Sequence, residues 1–96
     1  MRPSVALELR RNEIRACVYR FRTANARVFG SVLRGTDSEG SDIDILVDAL
    51  PGATLFDLGG LEAALEKLLG VPVDLLTPQD LPAKFRADIV AQAQLI

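Results

Sequence analysis

The chain has 96 residues, 49% of them hydrophobic and 25% charged, which indicates a single small folded domain over residues 1–96 and argues against disorder. One cysteine and no histidine are present. These counts exclude an internal disulfide, a cysteine or histidine zinc site and any mechanism that uses a histidine base. No apolar run approaches the roughly 20 residues that span a bilayer, and no signal-peptide pattern opens the chain, so we expect a cytoplasmic protein without a membrane partner.

The formal net charge is −2, but the charge is unevenly distributed along the chain. Residues 1–34 contain eight arginines and two glutamates, a net charge of +6, whereas residues 35–96 contain three basic and eleven acidic residues, a net charge of −8. The simpler interpretation is a first helix with a solvated basic face; the functional one is contact with an acidic partner, phosphates or RNA. Aromatic residues alternate with arginines only at Tyr19-Arg20-Phe21-Arg22, and the arginines at positions 10, 11 and 15 have no aromatic neighbour, so we do not expect direct nucleic-acid binding.

Helical periodicity and a polar loop define the first half of the chain. Apolar residues recur seven, four and three positions apart, at Leu7, Ile14, Val18 and Phe21, next to Cys17. This spacing predicts a packed helix from about Ser4 to Arg22. A short strand is predicted over residues 25–29 and ends at Gly30. Turn residues over 36–41 predict a loop, and an apolar strand follows at 43–48.

The second half of the chain again alternates helix and strand. Leucines spaced three and four apart predict a helix over residues 54–69, but a Gly-Gly pair disfavours its first turns and predicts a proper start only at Leu61. Residues 71–76 predict a short strand. A final helix, offset near Pro82, is predicted to run to about the C-terminus. This order of elements predicts an α/β fold in which a small mixed β-sheet is flanked by helices.

Three aspartates in short, otherwise apolar strands are the candidate catalytic and metal-binding residues: Asp42, Asp44 and Asp74. Side chains alternate along a strand, so Asp42 and Asp44 are predicted to project from one face. Two carboxylates this close repel each other unless a cation lies between them, and Mg²⁺ takes oxygen ligands from one or two carboxylates together with substrate phosphates. One such aspartate would suggest only a surface residue near a strand end, whereas three favour a site. Asp48 shares this face but lies toward a loop, where solvation accounts for it.

The Gly30-Ser31 turn that precedes these aspartates is a candidate phosphate-binding element. Glycine has no Cβ, so its backbone can approach a ligand closely, and a helix that starts there directs free N–H groups at an anion. Arg34 either adds positive charge to this cradle or forms a salt bridge with Asp37 or Glu39. Metal-binding carboxylates beside a phosphate cradle predict phosphoryl or nucleotidyl transfer.

The set of motifs carries a family resemblance. Gly30-Ser31, then Asp42-Ile43-Asp44 after a gap of ten residues, and a later Val73-Asp74-Leu75 resemble the nucleotidyltransferase superfamily of DNA polymerase beta. Within it, the Gly-Ser-x-x-Arg-Gly turn and the Ser-Asp-x-Asp strand resemble the minimal nucleotidyltransferases, which include MntA-like antitoxins. Leu33 departs from the alanine often found at its position. The resemblance implies a polymerase beta-like nucleotidyltransferase fold.

The resemblance also implies a role for each candidate residue. Asp42 and Asp44 would hold two Mg²⁺ ions. Asp74 would help to hold the catalytic ion and would orient the attacking hydroxyl. Ser31, together with the backbone of Gly30, would bind the β and γ phosphates of a nucleotide.

The function implied by this resemblance is that of an antitoxin. It would transfer AMP from ATP to a tyrosine of a partner HEPN-domain RNase toxin, in a hetero-oligomer, and so neutralise it. The short chain agrees with this, because a protein acceptor would complete an open cleft that lacks a substrate domain. Two alternatives remain open. One is a non-catalytic binding module that covers its partner through the basic first helix and an apolar C-terminal segment; the other is nucleotide transfer to a small molecule.

Overall fold

A computed structural model describes residues 1–96 of the protein and contains four helices and four strands. The helices are α1 (Pro3–Tyr19), α2 (Gly30–Arg34), α3 (Leu55–Leu69) and α4 (Ala83–Gln92), and the strands are β1 (Thr23–Phe29), β2 (Ile43–Ala49), β3 (Val73–Leu76) and β4 (Gln94–Leu95). A 3₁₀ turn at Pro78–Asp80 precedes α4. None of the helices is long and apolar enough to cross a membrane.

The four strands form one mixed sheet in the order β3-β2-β1-β4. Strands β2 and β3 are parallel, while β1 is antiparallel to both β2 and β4. The parallel pair is joined by α3, because parallel strands need a long crossover connection. The predicted α/β class, with a small mixed sheet flanked by helices, is confirmed.

One face of the sheet packs against α1 and α3 and holds the main hydrophobic core. Alternation along β2 directs Ile43, Ile45 and Val47 into this core, where each is fully buried. The predicted stripe lies against them: Leu7, Ile14 and Val18 of α1 are buried, with Cys17 beside them. Phe21, the last predicted member, follows the end of α1 and is partly buried against the same core. The opposite face therefore carries Asp44, Leu46 and Asp48 of the same strand, and the 3₁₀ turn packs against part of it.

Helix α3 begins at Leu55, so the predicted start at Leu61 is wrong. The hydroxyl of Thr54 accepts a hydrogen bond from the backbone N–H of Asp57, and the Asp57 carboxylate accepts one from the Thr54 N–H. This reciprocal cap offsets the helical cost of the two glycines. The second glycine also has a packing reason, because a Cβ at Gly60 would lie 2.8 Å from the Phe21 ring.

The C-terminal segment also differs from the prediction. Helix α4 ends at Gln92 instead of continuing to the end of the chain. Two residues of β4 then pair with Arg27 and Val28 of β1, and the side chain of Ile96 is buried in the core. A two-residue strand is too short to show periodicity, so the sequence pattern had no signal for it.

Candidate active site

The sheet register brings the three predicted aspartates to one place. Asp44 of β2 is the direct parallel partner of Asp74 of β3, so their side chains leave the same face of the sheet side by side. Asp42 lies two residues before Asp44, at the residue that precedes β2, and shares that face. All three therefore stand at the end of the parallel pair where both strands begin.

Asp44 is the least exposed carboxylate of this cluster, because Asp42 and Asp74 are both exposed. Burial raises the pKa of the half-buried Asp44 carboxyl, and the neighbouring charges of Asp74 and Asp42 raise it further. The Arg34 guanidinium opposes this rise. None of the three carboxylates forms a salt bridge within the chain, and perturbed carboxyls of this kind are characteristic of functional sites.

Gly30 lies in contact with this cluster, at the point where β1 ends and α2 begins. Its φ is +71°, in the left-handed region that favours glycine, and a Cβ built on it would overlap Oδ2 of Asp44. Only glycine lets the turn approach the carboxylate this closely. Ser31, the next residue, is half-buried in the first turn of α2.

Arg34 makes neither of the salt bridges considered from the sequence. Asp37 instead accepts hydrogen bonds from the Ser4 backbone at 2.8 Å and from Arg2 at 3.2 Å, and Glu39 pairs with the N-terminal amine at 3.2 Å. The Arg34 side chain, at the last position of α2, is therefore available to an anion bound next to Asp44.

Asp48 belongs to a separate group, in which both of its carboxylate oxygens have a hydrogen-bond partner. It accepts hydrogen bonds of 2.7 Å from both Asn25 and Arg27 of β1. The Asn25 hydrogen bond, and then the Arg27 hydrogen bond and charge, lower the pKa of Asp48. Solvation is thus not what accounts for this residue. The signal missed in the sequence was Arg27, the one charged residue of β1.

The donor chemistry of the cluster fits magnesium. No group of three or more His, Cys, Asp or Glu side chains is arranged as a preformed metal cage. Mg²⁺ does not require one, because it is commonly held by one or two carboxylates, with water and substrate phosphates completing its octahedral shell. The oxygens of Asp42, Asp44 and Asp74 offer hard ligands, and a bound cation would relieve their mutual repulsion.

A cavity next to this cluster has no counterpart in the sequence analysis. Its volume is about 230 Å³, and it is lined by Phe29, Gly30, Leu33, Arg34, Ile89 and Gln92. The first four come from the end of β1 and from α2, and the last two from α4. Because more than fifty residues separate the two groups along the chain, no local pattern could have connected them.

Comparison with known proteins identifies the family. A family model described as "Nucleotidyltransferase domain" matches residues 11–96. The chain belongs to the nucleotidyltransferase family. A solved structure provisionally described as a minimal nucleotidyltransferase superimposes with a TM-score of 0.87 at 38% identity, covering 97% of this chain and 95% of that chain. The resemblance drawn from the sequence motifs is therefore confirmed.

Two further proteins are similar to this chain. Protein adenylyltransferase MntA of Thermococcus cleftensis is 45% identical over 62 residues, which cover 65% of this chain and 63% of that protein. A chain in a crystal structure of a toxin–antitoxin complex with AMP-PNP superimposes with a TM-score of 0.73 at 26% identity, covering 88% of this chain and 69% of that chain. The match spans less than two thirds of the length of the curated relatives. For one relative from Methanocaldococcus jannaschii it spans 56% of that protein's length.

Proposed function

We propose that this nucleotidyltransferase transfers AMP from ATP to a hydroxyl group of a partner toxin and thereby neutralises it. The observation that carries the proposal is the convergence of Asp42, Asp44 and Asp74 against the Gly30 turn, with an Asp44 carboxyl whose pKa is raised by burial and by its acidic neighbours. Such a cluster suits a cation that bridges carboxylates to phosphates.

Each residue has a part in this reaction. Asp42 and Asp44 would hold two Mg²⁺ ions, which when bound stabilise the attacking and leaving oxygens of an in-line displacement. Asp74 orients the attacking hydroxyl toward the α-phosphorus of ATP. The bond from that oxygen to phosphorus forms while the bond to pyrophosphate breaks, and the hydroxyl proton passes to a carboxylate of the cluster. Ser31, the Gly30 backbone and Arg34 bind the departing β and γ phosphates, where negative charge develops.

The identity of the partner is the finer part of the proposal. We propose a HEPN-domain RNase toxin as the partner, in a hetero-oligomer, with a tyrosine as acceptor, and the cytoplasm as the place of reaction. Support comes from the similar chain found in a toxin–antitoxin complex with AMP-PNP and from the similarity to MntA.

The non-catalytic alternative finds less support in the structure. Its predicted apolar contact segment consisted of Ile89, Val90, Leu95 and Ile96. Ile96 is buried in the core and Ile89 and Val90 are partly buried, which leaves Leu95 as the exposed member. The basic helix is also partly occupied, because Arg10 and Arg11 pair with glutamates of α1 itself.

Mass spectrometry of the co-expressed partner tests the proposal. The candidate partner is the product of the neighbouring gene, and the expected result is one or more additions of about 329 Da per molecule, a covalent modification by AMP. A variant with Asp42, Asp44 and Asp74 all changed to Asn should bind the partner but leave its mass unchanged and its toxicity intact. Full neutralisation by this variant without ATP would instead establish the binding-module alternative.

A further inference from the structure

The cavity beside Gly30 has apolar walls and a polar edge. Phe29, Leu33 and Ile89 form the walls, and Arg34 and Gln92 contribute hydrogen-bonding groups. Neither of these two polar side chains forms a hydrogen bond within the chain. Their donors and acceptors are therefore free for a ligand.

The size of the cavity limits what it can hold. Pockets for whole drug-sized ligands have volumes of about 300–1,000 Å³, whereas this one has about 230 Å³. It suits one flat ring system. A planar heterocycle would pack its faces on the apolar walls and would need hydrogen-bonding partners along its edge.

The position of the cavity favours the base of a nucleotide over a side chain of the acceptor protein. The cavity shares Gly30 and Arg34 with the proposed phosphate-binding turn, so a nucleotide whose phosphates bind there has its base within reach of the same walls. The Gln92 amide is both a donor and an acceptor, which a base edge requires. A phenol ring, by contrast, carries a single hydroxyl, which has to lie at the carboxylates to react.

We infer that this cavity binds the nucleobase of the donor nucleotide and that Gln92 makes the site selective for adenine. A glutamine amide can accept a hydrogen bond from N6 of adenine while it donates one to N7. Guanine presents two acceptors on that edge, O6 and N7, so the same amide makes one of the two bonds at most. Arg34, which could otherwise donate to both acceptors, is engaged by the phosphates in the proposed function. This inference rests on the proposed function, because it takes the nucleotide as the ligand of the neighbouring carboxylates.

Equilibrium binding of ATP and of GTP, each with Mg²⁺, to the purified chain tests the inference without any acceptor protein. The wild type is expected to bind ATP more tightly than GTP. Gln92→Leu is expected to reduce the ATP-to-GTP affinity ratio at least about fivefold, the loss of one bidentate contact to a base. Gln94→Leu is the matched control, since Gln94 lies two residues further on in β4 and outside the cavity, and it should leave the ratio unchanged.

A second variant tests occupancy independently of base choice. Leu33→Trp should fill the cavity and weaken ATP and GTP together at least tenfold, while inorganic tripolyphosphate, which lacks a base, binds as well as before. Equal weakening of tripolyphosphate would overturn the inference and assign the cavity to phosphates. Unchanged ATP binding, with a raised KM for the acceptor protein, would assign the cavity to the acceptor side chain and also overturn it.

The two proposals fail in different ways. Selective ATP binding that depends on Gln92, without AMP transfer to any partner, would defeat the proposed function and support the base site. AMP transfer with an unaltered ATP-to-GTP ratio in Gln92→Leu would support the function and overturn the base site. A wild type that binds neither nucleotide would overturn both.

Discussion

Asp44 and Asp48 lie four residues apart on the same face of β2, and their environments shift their pKa values in opposite directions. Burial and the charges of Asp74 and Asp42 raise the pKa of Asp44. Asn25 and Arg27 lower that of Asp48 by donating hydrogen bonds to its charged form. The same strand therefore carries Asp48, which receives hydrogen bonds from β1, and Asp44, which receives no hydrogen bond from a basic or amide side chain of the chain.

The difference separates a structural role from a functional one. A carboxylate whose hydrogen bonds are supplied by its own chain contributes to stability, as Asp48 does between β1 and β2 and as Asp37 does where it accepts from Ser4 at the start of α1. A carboxylate cluster without such partners costs stability in the free protein, and it is useful where a cation and a substrate complete it.

The largest expected effect is on the rate of AMP transfer, when Asp44 and Asp48 are neutralised in separate variants. Asp44→Asn should reduce the rate of AMP transfer by about 10²–10³-fold, because it removes a proposed cation ligand at the place where charge develops. It should not lower the thermal unfolding temperature, because it removes a repelled charge. Asp48→Asn should show the reverse pattern, with near-normal transfer and lower stability. Equal losses of transfer in both variants would remove the distinction drawn between them.

The next effect concerns the glycine that touches Asp44. Gly30→Ala should both reduce transfer and destabilise the fold by more than about 1 kcal/mol, because the new Cβ overlaps the Asp44 carboxylate at a left-handed φ. Chemical denaturation and the transfer assay measure the two losses.

Gly35→Ala provides the matched control for this change. Gly35 has a φ of +73° but open space around its Cβ position, so the substitution introduces backbone strain of about 1–2 kcal/mol without contact with the site. Transfer should persist at temperatures where this variant remains folded. If the two alanine variants lose transfer to the same extent, contact with Asp44 is not the reason that position 30 is glycine.

A smaller effect is expected from magnesium in the absence of nucleotide. Binding to the folded state should raise the free energy of unfolding by about 1.4 kcal/mol at ten times the dissociation constant, because the cation relieves the repulsion among the carboxylates. A thermal-shift titration should detect this in the wild type and in Asp48→Asn, but not when Asp42 and Asp44 are both changed to Asn. A similar shift in that double variant would place the cation elsewhere.

The smallest expected effect is the pH dependence of stability. The folded-state pKa of Asp48 lies below its ordinary value, so the stability that it contributes is present above about pH 4 and is lost as the pH falls further. Because more than a third of its side chain is exposed, the contribution is no more than about 1 kcal/mol. Asp44 behaves in the opposite sense, because its folded-state pKa is raised. The stability that its protonated form contributes at low pH is lost as the pH rises through this raised pKa. Urea unfolding from pH 3 to 7 should show a flatter acid limb in Asp48→Asn and higher neutral stability in Asp44→Asn.

Much of this protein could be predicted from local patterns in its sequence. The order of helices and strands, the buried stripe of α1 and the alternation of β2 follow from periodicities that a helix or a strand imposes on any chain. The family assignment followed from the spacing of Gly30-Ser31 and the aspartate motifs, and it is confirmed by the family match. The catalytic and metal-binding roles of these residues stay predictions.

Other features depended on contacts between distant segments, which no periodicity records. Only the parallel register of β2 and β3 places Asp74 beside Asp44, and only the packing of α4 near α2 creates the cavity lined by Gln92. The same holds for the partners of Asp48 and for those of Asp37 and Glu39, which leave Arg34 without the salt bridges considered from the sequence. Periodic patterning sets which face of an element is apolar, whereas the pairing of individual charges is set by the geometry with which the elements pack.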